Sequence, residues 1–262
     1  DSIQRLSDIW RLQAGFSSHF DVVLPVKLDT GSAAQYMIDV LNRFRSELEA
    51  RFEIQITDAA LNTAIADYNR IRTQLRALYE IRSRNPSLLG PSTVNQILRA
   101  AMVMERREFL GHIRDFLNSL DLSADSGHEG RKRVVLSGGI CSNPDIYDFL
   151  AQAGADVVWD DLCTGARYFE GEIAEDSPRP IEALANRYLT RNVCPAKHAG
   201  FTTRAERLLE TVKAQQADGV IFLLLKFCDP HAFDYPFLKQ FMDDAGIPSL
   251  LLEVEEQPPP EG

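Results

Sequence analysis

Residues 219–253 read GVIFLLLKFCDPHAFDYPFLKQFMDDAGIPSLLLE, and their apolar pattern changes twice. Residues 220–225 are an unbroken apolar run between Gly219 and Asp229-Pro230. Such a run predicts a strand buried on both faces, as in a parallel sheet. Phe237, Leu238, Phe241 and Met242 then recur at helical spacing. Asp234 is the expected cap of that helix, with Pro236 in its first turn, where a backbone N–H has no partner to lose. Gly246 is expected just past its end, with Pro248 beyond, and residues 248–252 form the next strand. Cys228 therefore falls at the carboxyl end of a strand, the edge where open α/β sheets bind ligands.

The rest of the chain divides by the same criterion. Ile3, Leu6, Ile9 and Trp10 share one face of an expected helix over residues 1–11. DVVLPV, within residues 19–27, predicts a strand. From 31 to 120 the spacing is helical. Met37, Val40, Leu41, Phe44 and Leu48 make one stripe. Thr57 caps a second helix, with Leu61, Ile65, Tyr68, Leu75 and Leu78 inward and Asn85-Pro86 ending it. Residues 91–104 and 105–120 give two more, the last with Phe109, Ile113, Phe116, Leu117 and Leu120 inward. Their Arg- and Glu-rich faces read as solvated or partner-facing surface. SADSGHEGR, residues 123–131, is an expected loop between subdomains. Strands follow at 133–136 and 156–159, separated by a helix that Asn143-Pro144 opens. Helices at 180–190 and 202–217 flank a loop at Cys194-Pro195. Alternating strands and helices predict a right-handed parallel arrangement. The expected fold is α/β: a parallel four-stranded Rossmann/flavodoxin-like sheet with flanking helices, plus a helical subdomain.

Composition narrows the partners. The 262 residues are 45% apolar and 25% charged, ordinary for a globular protein. A net charge of -10 repels nucleic acid and anionic membrane at long range, so neither is an expected partner. An anionic ligand such as coenzyme A would need a local basic patch. No apolar run approaches a bilayer span, and no signal peptide opens the sequence. The four cysteines are far apart, with no C-x-x-C pair. A reducing, cytoplasmic setting is expected, with thiols that are free, catalytic or metal-bound. The start at Asp1 and the EEQPPPEG ending suit a piece of a longer protein.

Cys141, Cys163 and Cys228 follow three successive strands, and parallel strands put the three loops on one sheet edge. From the residues alone, Cys228 fits either a buried structural thiol or a ligand. Cys163, in DDLCTGARYFEG, fits either a site-lining residue or a small core residue. Cys141, in LSGGICSNP, reads as packing, and the glycines beside it as a tight strand-to-helix turn. Ser137-Gly138-Gly139 is not a dinucleotide fingerprint. His231 lies three residues after Cys228, but no second such pair exists, so zinc is not expected. Asp160 and Asp161 read better as a strand end and cap than as crevice groups. Lys226 and Arg167 suit a phosphate or thioester oxygen, or surface ion pairs. No Ser-His-Asp arrangement can be assigned from spacing.

The segment LLLKFCDPHAFDYPFLKQFMDDAGIPSLLLEVE resembles the 2-hydroxyacyl-CoA dehydratase and benzoyl-CoA reductase family, and the likeness is best over residues 134–253. DDLCTGARYFEG is similar to the same family. The resemblance implies that Cys228 is a metal ligand, giving its thiolate to a [4Fe-4S] cluster, and that Cys163 lines the cofactor or substrate. Such a cluster takes three cysteines, and another of them would directly precede a segment like DSIQRLSDIW, outside the chain. RYLTRNVCPAKH departs from the family's CPC pattern, which weakens any role for Cys194. The implied organisation is residues 1–30 as the end of a first α/β domain, 31–122 as a helical subdomain and 131–254 as a C-terminal α/β domain. The implied partners are a related second subunit, an ATP-dependent iron–sulfur activator and an acyl-CoA substrate. The implied reaction adds one electron to the thioester carbonyl, giving a ketyl radical that leads to 2-hydroxyacyl-CoA dehydration or benzoyl-CoA reduction. Two rival readings are a cluster-free partner subunit and a small-ligand-binding α/β module.

Overall fold

The structure, a computed structural model, describes residues 2–123, 130–141, 145–191, 194–197 and 200–255. The centre of the 123–131 loop, Asn143-Pro144 and most of the Pro-rich tail lie outside the described residues. Five helices come first: α1 (Ser2–Gln13), α2 (Gly31–Phe52), α3 (Asp58–Arg84), α4 (Thr93–Val103) and α5 (Arg106–Ser119). Then follow β1 (Lys132–Gly138), α6 (Asp145–Gln152), β2 (Ala155–Asp161), α7 (Ala166–Phe169), α8 (Pro180–Arg191) and α9 (Phe201–Ala214). The chain closes with β3 (Gly219–Leu225), α10 (Asp229–Asp244) and β4 (Ser249–Val254).

The helix ends follow from local chemistry. Thr57 Oγ1 accepts the Ala60 N–H at 3.1 Å and caps α3. Glu105 accepts from the N–H groups of Arg107 and Glu108 and caps α5. Pro86 ends α3 by entering a single 3-10 turn. Residues 21–26 are not a strand: only Lys27 makes an isolated bridge, and Pro25 has no N–H to give to a ladder. Tyr68 departs from its expected inward position and is exposed.

Two compact units divide the chain, residues 1–65 with 173–190 and residues 66–172 with 191–262. In the first, Ala33, Met37 and Val40 of α2 and Ile65 are buried. The second contains the sheet. Its strands run in the order β2-β1-β3-β4 and every pairing is parallel. Alternate residues bury opposite faces. Val134, Leu136, Ile221 and Leu223 pack with Tyr147 and Leu150 of α6. Val135, Val220 and Phe222 pack with Leu208 and Val212 of α9 and Met242 of α10. A further cluster joins Leu75, Leu78 and Tyr79 of α3 to Leu98, Phe109, Ile113 and Phe169. From β1 the chain winds outward to β2, then returns to β3 and winds the other way. The carboxyl ends of β1 and β3 therefore flank a topological switch point.

The start of α10 is six residues earlier than expected. Asp229-Pro230 is not a break: Pro230 occupies the first turn, where its missing N–H costs nothing, and Cys228 is the N-cap residue. Pro236 sits inside the helix, and Asp234 pairs with Arg204 instead of capping. At the other end Gly246, at φ 70°, gives its N–H to Asp243 O, while Ile247 N–H reaches Met242 O, each at 2.9 Å. That is the expected glycine-terminated helix end.

Candidate functional site

The loops after β1 and β3 meet at the switch point. Gly138 and Gly139 form the end of the first, and both are buried. Neither is in the left-handed region, so the tight turn expected of them is not their reason. A Cβ on Gly138 would sit 2.3 Å from the Leu223 carbonyl oxygen, and one on Gly139 would sit 3.3 Å from the His231 ring. The glycines are there for close approach, of a strand in one case and an imidazole in the other.

His231 stands one turn into α10, and its Nδ1 is 3.2 Å from Cys228 Sγ. Burial lowers the His231 pKa, and the Arg167 charge lowers it further, so the ring is neutral at pH 7. The Cys228 N–H reaches Leu225 O at 3.1 Å, and its carbonyl accepts Ala232 N–H at 3.0 Å, which fixes the cap backbone. Phe227, immediately before it, has φ 67° and a side chain 98% exposed. A bulky residue in that conformation is strained by on the order of 1–2 kcal/mol.

A second thiol group lies on the loop after β2. Cys163 gives its N–H to Gly139 O at 2.9 Å, so this loop is tied to the first. Cys163 and Cys194 share a hydrogen bond. Arg167 Nη1 is 3.6 Å from Cys163 Sγ. The same guanidinium grips Asp161 as a fork, Nε to Oδ1 at 2.6 Å and Nη2 to Oδ2 at 2.7 Å. Arg167 is buried, so it is not the surface ion pair its sequence allowed. The shared bond pushes the Cys163 thiol up, with burial adding to it. It holds Cys194 down to about 6 against burial, helped by the Ala196 N–H and Arg167.

The remaining candidates are elsewhere. Cys141 is buried in the apolar cluster with Leu136 and Tyr147, and its N–H reaches Thr164 Oγ1 at 3.0 Å. Lys226 is exposed and pairs with Glu255. Asp160 is fully buried and caps α7 through Ala166 N–H at 2.7 Å. It also accepts from Tyr79 Oη at 2.7 Å and Arg82 Nη2 at 3.0 Å. A Cβ on Gly165 would fall 1.8 Å from Asp160 Oδ1, so this carboxylate fits only over a glycine.

Iron–sulfur clusters are held by three or four thiolates. Cys228 suits one such position: a soft donor, half-buried, at the start of a 16-residue helix. Among the described residues, no three His, Cys, Asp or Glu side chains are grouped to hold a metal ion. The described residues therefore offer one thiolate at the switch point and not a complete set. The Cys163–Cys194 contact is invisible in the sequence, which carries no C-x-x-C spacing. The His231–Cys228 contact has a signal, a three-residue step, but only once Cys228 is known to open a helix.

The whole chain, residues 1–262, matches the family profile described as 2-hydroxyglutaryl-CoA dehydratase, D-component. It is 26% identical over 262 residues to the (R)-phenyllactyl-CoA dehydratase beta subunit of Clostridium sporogenes, covering 98% of this chain and 68% of that one. It is 27% identical over 264 residues to a benzoyl-CoA reductase subunit of Thauera aromatica, covering 98% and 67%. With the (R)-2-hydroxyglutaryl-CoA dehydratase beta subunit of Acidaminococcus fermentans it shares 27% identity, over 88% and 62% of the two chains. These relatives are named as subunits of dehydratases and a reductase of acyl-CoA compounds. With the profile matched from end to end, the chain belongs to the 2-hydroxyglutaryl-CoA dehydratase D-component family.

Proposed function

We propose that this chain is part of a cytoplasmic enzyme subunit acting on acyl-CoA thioesters, by 2-hydroxyacyl-CoA dehydration or benzoyl-CoA-type reduction. The observation that carries the reading is the Cys228 thiol, paired with His231 at the switch-point crevice, in a chain whose relatives are named for acyl-CoA reactions. Cys228 gives one thiolate to a [4Fe-4S] cluster, and His231 orients that sulfur through Nδ1. When bound, the cluster supplies one-electron, low-potential chemistry at the thioester, on the radical route that the family resemblance implies. A related second subunit and an ATP-dependent iron–sulfur activator complete the system. The relatives named as beta subunits support the first of these partners.

The test uses the whole subunit with its partner, purified without oxygen. Iron and acid-labile sulfide are measured in wild type and in Cys228→Ser. Serine is nearly isosteric but a poor substitute for a soft thiolate. The expected result is a clear loss of iron and of turnover, with circular dichroism unchanged. Unchanged iron content would make Cys228 a packing residue. Calorimetry with several acyl-CoAs separates this reading from a cluster-free scaffold, which would bind none of them.

A further inference from the structure

A basic patch of the kind an anionic ligand needs lies within the second unit, on a cleft of about 930 Å³ between α3 and α9. The cleft lies off the switch point. Arg133, which lines it, stands near the start of β1, about 16 Å from Gly138 at about 3.3 Å per residue. Arg133 also fixes one end of the cleft. Its Nη2 donates to Ser83 O at 2.9 Å and to Gln215 O at 2.7 Å, and its Nε to Gln216 O at 3.2 Å. Those bonds tie the end of α3 to the end of α9. The segment after α7 clasps the same two helices: Glu172 takes Arg76 of α3 and Glu170 takes Arg207 of α9, each at 3.0 Å. Trp159 of β2 is a further wall, its ring set edge-on against Tyr79 at 5.0 Å between centroids.

Positive charge is in excess there. Arg76, Arg84, Arg133 and Arg207 line the cleft against Glu80 and Glu170. Adding Glu172, the partner of Arg76, makes three carboxylates against four guanidiniums, on a chain whose net charge is -10. Arg84 is exposed and has no ion-pair partner among the described residues. The side chains of Arg76 and Arg207 are 39% and 40% exposed, and a guanidinium has five N–H donors, more than one carboxylate takes up. The volume falls in the range of small-molecule clefts, about 300–1,000 Å³, and exceeds what inorganic phosphate alone would fill.

We infer that this cleft binds a nucleotide, with its phosphates on Arg84, Arg76 and Arg207 and its flat base against Trp159. Guanidinium forks match phosphate oxygens, and every base has a π-face for an aromatic wall. Two sources share this chemistry: a free nucleotide and the nucleotide end of a coenzyme A thioester. Only the second rests on the acyl-CoA reading above.

The experiment uses the whole subunit with its partner, purified without oxygen. Phenylglyoxal modification of Arg84 is followed by peptide mapping, alone and with ADP, coenzyme A, adenosine or inorganic phosphate. ADP or coenzyme A is expected to slow the reaction at Arg84, while adenosine, which has no phosphate, leaves it unchanged. Protection by both marks a general nucleotide site, and protection by coenzyme A alone assigns the cleft to the nucleotide end of the substrate. Calorimetry then gives the affinity, expected to fall by about tenfold or more in Arg84→Gln with the loss of a charge-assisted bond. Coenzyme A that binds Arg84→Gln as tightly as wild type, and leaves Arg84 unprotected, overturns this inference but not the acyl-CoA reading. Failure of every acyl-CoA to bind strikes that reading, and protection of Arg84 by ADP still decides this one. Absence of protection by both ADP and coenzyme A overturns it, and the wild-type map needs no variant to fold.

Discussion

Two consecutive aspartates end β2, and each grips an arginine, yet they sit in different chemical worlds. Asp160 is 1% exposed and binds Arg82, Tyr79 and a helix N–H in a closed cluster. Arg82 also lies over the Tyr79 ring, 4.0 Å from its centroid. Burial disfavours the Arg82 charge, but Tyr79 and Asp160 keep it raised. Asp161 turns to the other side and holds Arg167, whose free edge faces the Cys163–Cys194 pair. The same ion pair is structural where it is shut away from solvent, even though Arg82 Nε and Nη1 find no hydrogen-bond partner among the described residues. It becomes chemical where one edge of the guanidinium reaches a titrating sulfur.

The comparison breaks hardest at Asp160. Asp160→Asn leaves the Arg82 cation buried without its counter-charge, which costs about 3–5 kcal/mol. Denaturant unfolding is the measurement, and a loss under about 1 kcal/mol would show that water reaches Arg82. Arg167→Gln is expected to be milder, about 1–2 kcal/mol, because Asp161 is partly hydrated and keeps Ser137 Oγ at 3.4 Å. Its larger effect is chemical: iodoacetamide should react more slowly with Cys194 at pH 7, while Asp160→Asn, if folded, leaves that rate alone. Equal effects of both variants on Cys194 would erase the distinction. The finest test is pH. Cys194 faces Cys163, Arg167, Asp161 and Lys197, and is held down to about 6. Only the thiolate reacts, so alkylation at Cys194 should stay near its plateau at pH 7 and fall as pH drops through about 6. An ordinary thiol, with a pKa of about 8.5, would still be rising at pH 7. Peptide mapping over pH 5–9 distinguishes the two curves.

Much of the fold is legible in the sequence because periodicity is a local property. The four strands, the cap at Thr57 and the Gly246 terminus rest on residues within a few positions of each other. The start of α10 is not, because Asp-Pro marks a break or a first turn equally well, and only the backbone decides which. The 21–26 segment has strand-like residues but, among the described residues, only an isolated bridge at Lys27. The site is legible at one point, Cys228, placed by topology at the right edge. Its partners are less so. Tyr79 and Arg82 lie on a long helix rich in charged residues, and nothing near them in sequence points to Asp160. Cys163 and Cys194 become neighbours only through the fold, so no motif could announce them.

The end of β1 has one further consequence. Gly138 and Gly139, both buried, let the Leu223 carbonyl and the His231 ring press directly on the end of β1. Ordering a rotamer-rich side chain on binding costs about 0.5–1.5 kcal/mol, and at these two positions there is none to order. The seat of the His231 ring, and with it of the Cys228 sulfur that the ring meets, is therefore set by backbone.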